Sequence, residues 1–338
     1  MKLYCGIDLH SNNSLVVVID EEDRVVYQKR LSNDLSLIQK ELSPFRMAIQ
    51  GVAVESTFNW YWLVDGLMEA GLKVHLVNTA AVEQYEGLKY TDDDHDARWL
   101  AHLLRLGILP TGYIYPKDKR PIRDLLRKRS QLVRYRTAQI LSIQNLMSRN
   151  TGRSIKDNDI GKLSGEKIDT LYSDTNLALA MKANLLVKEC LNKQIQQLEK
   201  TVLKNAKIEP TFRPLLSVDG IGKVLGLTIM LETGDVNRFE KVGNYASYCR
   251  CVSSRKISNG KKKGEGNRKN GNKYLSWAYV EAAHFAIRYN ERIKRYYQKK
   301  MAKKNKIIAI KAVAHKLSRA CYHILKDQVP FDVERAFA

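Results

Sequence analysis

No uninterrupted apolar run in these 338 residues reaches the ~20 needed to cross a bilayer. The opening stretch, MKLYCGIDLHSNN, lacks the apolar core of a secretory signal, because Asp8 and His10 interrupt it. No lipidation signal is recognisable. Cysteine is scarce and scattered: Cys5, Cys190, Cys249, Cys251 and Cys321 form an odd set, which argues against a disulfide framework and for a reducing cytosol. Only Cys249 and Cys251 lie close together, and no further His or Cys completes a zinc site around them. Internal repeats are missing as well. Negative charge is in short supply, with 36 Asp+Glu against 57 Lys+Arg, a formal net charge of +21 and a pI of about 9.7. That imbalance calls for a polyanionic partner. With membrane association poorly supported, the partner expected is nucleic acid.

What is present is an ordinary globular composition, 44% hydrophobic and 28% charged, in a chain long enough for two or three domains. The first ~110 residues alternate strand-like and helix-like stretches. KLYCGIDLH, SLVVVIDEE and RVVYQKRL read as three consecutive strands. SLIQKELSPF is helical, MAIQGVAVE is a fourth strand, NWYWLVDGLMEAG a helix and KVHLV a fifth strand. Helices are expected over TAAVEQYEGL and from Asp93 to Leu106. A mixed sheet flanked by helices follows, in the order of ribonuclease-H-like folds, although pattern alone admits other α/β folds.

From Lys117 the chain becomes helical and basic. One long helix is expected to about Asn150, then a looser stretch, then a second long helix ending near Ala206. Leu191, Ile195, Leu198 and Val202 recur at coiled-coil spacing, and the heptad falters upstream at Asn184 and Lys188. Such a seam serves dimerisation or packing within the chain equally well. Beyond Pro210, Gly220-Ile221-Gly222 has the shape of a helix-hairpin-helix turn, whose amides can grip a phosphate, or of a plain tight turn. A polar loop then leads into further helices, the last an amphipathic basic helix near 306–327.

Against this basic background, YTDDDHDARWLAHLL concentrates aspartates at the head of a helix. Asp8 ends the first strand and Glu55 the fourth. Singly, each acid is a strand terminator or a helix cap. Together they say more. If the first and fourth strands are neighbours, Asp8 and Glu55 emerge side by side, and the helix from Asp93 can dock against them. Asp93 and Asp96, three apart, share a helix face. Converging carboxylates repel unless a cation lies between them, and an oxygen-only set favours Mg²⁺ or Mn²⁺ over zinc.

GIDLH, VEST and YTDDDHDARWLAHLL resemble the Asp-Glu-Asp-Asp signature of bacterial insertion-sequence recombinases related to the Piv DNA invertases. The resemblance implies a RuvC-like (ribonuclease-H-like) α/β domain, a helical coiled-coil segment and a mainly α-helical C-terminal transposase domain. Their expected extents are 1–155, 156–208 and 209–338. It places Asp8, Glu55, Asp93 and Asp96 in the metal positions, with Asp92 a possible substitute for Asp93. LLSVDGIG, LETGDVNRF and ISNGKKKGEGNRKNGNKYLSWA resemble the family's second half. By that resemblance Ser258 is the nucleophile that becomes attached to DNA. Arg255, Lys256, Lys261, Lys262, Lys263, Arg268, Lys269 and Lys273 surround it as phosphate-binding cations. Ser253 and Ser254 compete for the nucleophile's place, and Arg250-Cys251-Val252-Ser253 stands where the family often has Gly-Leu-x-Pro. The resemblance further implies donor and target DNA and a structured guide (bridge) RNA as partners. It also implies Mg²⁺ or Mn²⁺, a dimer or tetramer joining one subunit's carboxylates to another's serine, and a cytoplasmic, nucleoid-associated location. A junction nuclease that hydrolyses DNA with water is the alternative.

Overall fold

The structure, a computed structural model, describes residues 1–82, 93–206, 210–253, 256–265 and 270–338. The sequence expectations for Asp92, Ser254, Arg255, Arg268 and Lys269, and for most of the helix over 79–88, lie outside these residues. So do the side chains of Asp93, Lys256 and Lys262. Contacts divide the chain into two units, Met1–Lys117 and Asp118–Ala338.

The first unit is built on five strands: β1 (Leu3–Leu9), β2 (Asn13–Ile19), β3 (Val25–Ser32), β4 (Ile49–Glu55) and β5 (Val74–Val77). Their order in the sheet is β3-β2-β1-β4-β5. The first three pair antiparallel, whereas β4 lies parallel to β1 and β5 parallel to β4. The parallel pairs need crossovers, which α1 (Leu35–Leu42) and α2 (Tyr61–Glu69) supply. Asp34 caps α1 by accepting hydrogen bonds from the amides of Ser36 and Leu37. Strand alternation then sorts the side chains. Leu3, Cys5, Ile7 and Leu9 point to the face covered by α1 and α2, against Ile38, Leu42, Leu63 and Leu67. The opposite face of β1 carries Tyr4, Gly6 and Asp8 and is covered by α3 (Asp93–Arg105), through Ala97 and Ala101.

Among its described residues the second unit is helical apart from one hairpin. The long basic helix α4 (Arg120–Thr151) and α7 (Thr175–Ala206) lie antiparallel, joined through the short α5 (Asp157–Ile160) and α6 (Gly165–Leu171). Arg129 pairs with Glu199, Arg136 reaches Asn192, and Ile143 and Met147 share a core with Met181 and Leu185. Ile195 and Val202 of the heptad seam are buried at 3% and 0% exposure, so the seam finds its partner, α4, within the chain.

The remainder comprises α8 (Phe212–Leu215), α9 (Lys223–Thr233), α10 (Val242–Tyr248), β6 (Lys256–Ser258), β7 (Lys261–Gly264), α11 (Lys273–Tyr289), α12 (Glu291–Lys303), α13 (Lys306–Asp327) and α14 (Val333–Ala336). Helix α9 is apolar nearly all round and central, packed against α11. Gly220 explains the Gly-Ile-Gly turn. At φ +93° it abuts α11, and a Cβ there would lie 2.5 Å from the Ala286 amide nitrogen and 2.6 Å from the Ala282 carbonyl oxygen. Close helix packing is the use the fold makes of that glycine.

Candidate active site

Parallel pairing of β1 with β4 sets Ile7 against Val54, so the next residues, Asp8 and Glu55, leave the sheet side by side. Both point to the face that α3 covers. What brings α3 close enough is Gly6, two residues before Asp8 on the same face. A Cβ at Gly6 would sit 2.0 Å from the Ala97 carbonyl oxygen and 2.8 Å from the Ala101 amide nitrogen. The helix backbone therefore rests directly on β1, and Ala97 and Ala101 are small enough to permit it. Asp96 precedes that contact by one residue. It is carried to a cavity of about 130 Å³ lined also by Asp8, Glu55, Thr79, Val82 and Trp99.

The electrostatics of the cavity follow from that convergence. Burial, then the hydrogen bond with Asp8 and the charges of Asp8 and Asp96, push the Glu55 carboxyl up to about 8. Asp8 is 5% exposed, and His10 Nε2 lies 3.3 Å from its Oδ2. Along α3 the rings of His95, Trp99 and His102 stack in succession, with centroids 6.1 and 5.3 Å apart. The far end is held by Asp23, in the β2–β3 turn at φ +68°, whose Oδ1 lies 2.8 Å from His102 Nδ1. Burial opposes the charge of Asp23, yet His102, Arg105 and Arg98 keep its carboxyl below the usual range. The turn thus fixes the rotation of α3 about its axis.

Among the described residues no group of three or more His, Cys, Asp or Glu is placed so that it could hold a metal ion. The chemistry of the three acids, though not their present spacing, is of the kind hard divalent cations take. The donor set is all oxygen and is drawn from three elements that line one cavity.

The second candidate feature is the β6–β7 hairpin, where the sequence suggested only a polar loop. Ser258 pairs with Lys261 across a two-residue turn of Asn259 (φ 50°) and Gly260 (φ 70°). Positive φ at both central positions is the type I′ geometry that Asn-Gly favours, and Asn-Gly was the signal available in the sequence. Ser258, Lys261 and Lys263 are exposed on this hairpin. Ser253 lies before the hairpin, beside a cavity of about 680 Å³ that Tyr248, Arg250, Glu265, Asn270 and Lys311 also line.

Downstream, Gly271 and Asn272 anchor the loop to the helical core. Gly271 has φ +86°, and a Cβ there would lie 2.4 Å from the Tyr248 carbonyl oxygen. Arg250 donates to the Gly271 carbonyl. Asn272 accepts hydrogen bonds from the amides of Tyr274 and Leu275, capping α11, and its Nδ2 donates to Glu232 Oε2 at 2.7 Å. Glu232, 3% exposed, also receives Arg127 through two bonds of 2.6 and 2.7 Å. Burial disfavours the charge of Arg127, but Glu232 more than offsets this and raises its pKa further. Sequence reading missed this Arg127–Glu232–Asn272 cluster. Its members lie on three separate helical segments and share no local pattern. Lys273, at the start of α11, places its ammonium 5.3 Å from the Tyr274 ring centroid.

Comparisons with known proteins match both units. A family model described as "Transposase IS116/IS110/IS902 family" matches residues 213–298, and a DEDD model described as "Transposase" matches residues 5–150. A probable family 20 transposase of Pseudomonas aeruginosa is 21% identical over 299 residues, 84% of this chain and 83% of the relative. The transposase for insertion sequence element IS1111A of Coxiella burnetii is 22% identical over 300 residues, 84% of this chain and 78% of the relative.

Proposed function

Because the chain belongs to the IS110/IS116 family of transposases, we propose that it cuts and rejoins donor and target DNA under the direction of a structured guide RNA. The observation that carries this reading is the convergence of Asp8, Glu55 and Asp96, with Glu55 pushed up to about 8. A chain of formal charge +21 that gathers three acids in one cavity is arranged to hold a cation beside a polyanion. The strand order β3-β2-β1-β4-β5, with acids at the ends of β1 and β4, supports a RuvC-like identity for the first unit.

Asp8, Glu55 and Asp96, with Asp93, would hold Mg²⁺ or Mn²⁺. When bound, the ion supplies Lewis-acid stabilisation of the charge that develops on phosphodiester oxygens. Ser258 Oγ attacks phosphorus, forming a serine–phosphate ester as the bond to the leaving sugar oxygen breaks. The Oγ proton is lost and the leaving oxygen gains one. The reverse step rejoins strands without ATP, because the ester conserves the bond energy. The hairpin lysines Lys261 and Lys263 hold the backbone, as Lys256, Lys262, Lys273, Arg255, Arg268 and Lys269 do in the same reading. Acids and serine from different subunits of a dimer or tetramer complete the site.

The test incubates full-length protein, guide RNA, Mg²⁺ and labelled DNA, then looks for a protein–DNA adduct that survives denaturant. Wild type is expected to form it and Ser258→Ala to form none. Cleavage by wild type with no adduct would establish hydrolysis by water instead. An adduct with Ser258→Ala would transfer the role to Ser253 or Ser254.

A further inference from the structure

The heptad of α7 breaks at Lys188, and the structure gives that break a place. Lys188 is turned into the α4–α7 hairpin and is only 6% exposed. Core positions of a helical hairpin almost never hold lysine, because burying an ammonium without a counter-charge is costly. Yet among the described residues its ammonium makes no ion pair or hydrogen bond. It opens instead onto a cavity of about 330 Å³ between α4, α5 and α7, room for roughly ten waters. Arg136 lines the same cavity. Among the described residues its guanidinium has one bond, to Asn192 Oδ1 at 3.2 Å, while its Nε is buried without a partner. Asn158 and Asn192 add side-chain amides to the lining. The one acid on the rim, Asp157, is not within ion-pair distance of either cation. The cavity therefore carries a formal +1, with the Lys188 ammonium and the Arg136 Nε unpaired among the described residues.

We propose that this cavity is an anion site, built by Lys188 and Arg136, that receives a backbone phosphate of bound nucleic acid. Arg136 offers a planar fork and Lys188 a point charge, the pair of chemistries that phosphate oxygens accept. The site lies in the second unit, outside both transposase-family matches except for Arg136 and Ile140 on α4. It needs no catalysis, so its failure and the failure of the proposed strand transfer are separable.

The test measures binding of labelled duplex DNA and of labelled structured RNA by full-length protein at about 50 and 200 mM salt. One lost phosphate contact lowers the salt slope by about 0.9 for duplex DNA. The roughly threefold extra weakening shown by wild type over this range should then disappear from Lys188→Met and Arg136→Gln. Asp157→Asn should act oppositely and tighten binding, a gain that misfolding cannot imitate. The probe whose slope responds identifies the nucleic acid that occupies the site. Two outcomes overturn the proposal. One is unchanged slopes for both probes in Lys188→Met. The other is thermal protection by inorganic phosphate that Lys188→Met abolishes while both nucleic-acid slopes persist, which would make this a free-anion site.

Discussion

The acids and the serine are held in opposite ways. Asp8 is 5% exposed at the end of a strand buried on both faces, with α3 resting on Gly6 and clamped at its far end by Asp23. Ser258 stands exposed on a hairpin of two short strands whose turn has open space around it. One arrangement keeps charges at fixed separation, which a cation site requires. The other sets Ser258, the proposed nucleophile, on a short exposed hairpin, with Gly271 and Asn272 anchored to the helical core downstream. In the proposed function, the first unit would supply rigid electrostatics and the second reach.

The largest effect expected from breaking this contrast is chemical. Asp96→Ala should lower strand cleavage on the order of 10³-fold or more, with the fold intact because Asp96 is partly exposed. Cleavage kinetics with circular dichroism as a control would check it, and unaffected cleavage would remove Asp96 from the site.

Next come the two glycines. Gly6→Ala must drive α3 off the sheet and should cost about 3 kcal/mol, seen as a lowered urea midpoint together with lost cleavage. Gly260→Ala meets no atom within 4 Å and suffers only its φ of +70°, a cost of about 1 kcal/mol confined to the hairpin. Equal losses from the two would erase the distinction drawn between rigid and light support.

A separate effect is a pH dependence. Glu55 loses its proton near 4.5 in the unfolded chain and near about 8 in the folded one. Between those values the folded chain holds the extra proton, so stability falls as pH rises. The melting temperature in chelator should decline from about pH 5 to about pH 8, and Glu55→Gln should flatten that decline. Added Mg²⁺ should flatten it in wild type, since a cation then takes the proton's place. A wild-type profile already flat in chelator would refute the convergence of the acids.

Much of this was legible beforehand. Alternating apolar residues gave the five strands, and Asp8 and Glu55 showed as single acids closing buried runs. Helix α3 and the long basic helix α4 were plain from periodicity, and α13 coincides with the expected 306–327 helix. The β6–β7 hairpin escaped because KIS and KKKG carry no apolar alternation: an exposed ribbon buries no face, so only its Asn-Gly turn could betray it. The seam on α7 announced a partner without naming it, since heptad spacing is the same for a neighbour in the chain and for another subunit.

By itself, then, the sequence determined what each segment can be: strand or helix by period, turn by Asn-Gly, polyanion binder by charge. Tertiary structure alone decided which segments meet. That β1 pairs with β4 depends on sheet order. That α3 touches β1 depends on a missing Cβ at Gly6. That Glu232 is neutralised by Arg127 depends on two helices more than a hundred positions apart in sequence. Local propensity is a property of neighbours along the chain, whereas a shifted carboxyl or a filled seam depends on distance in space.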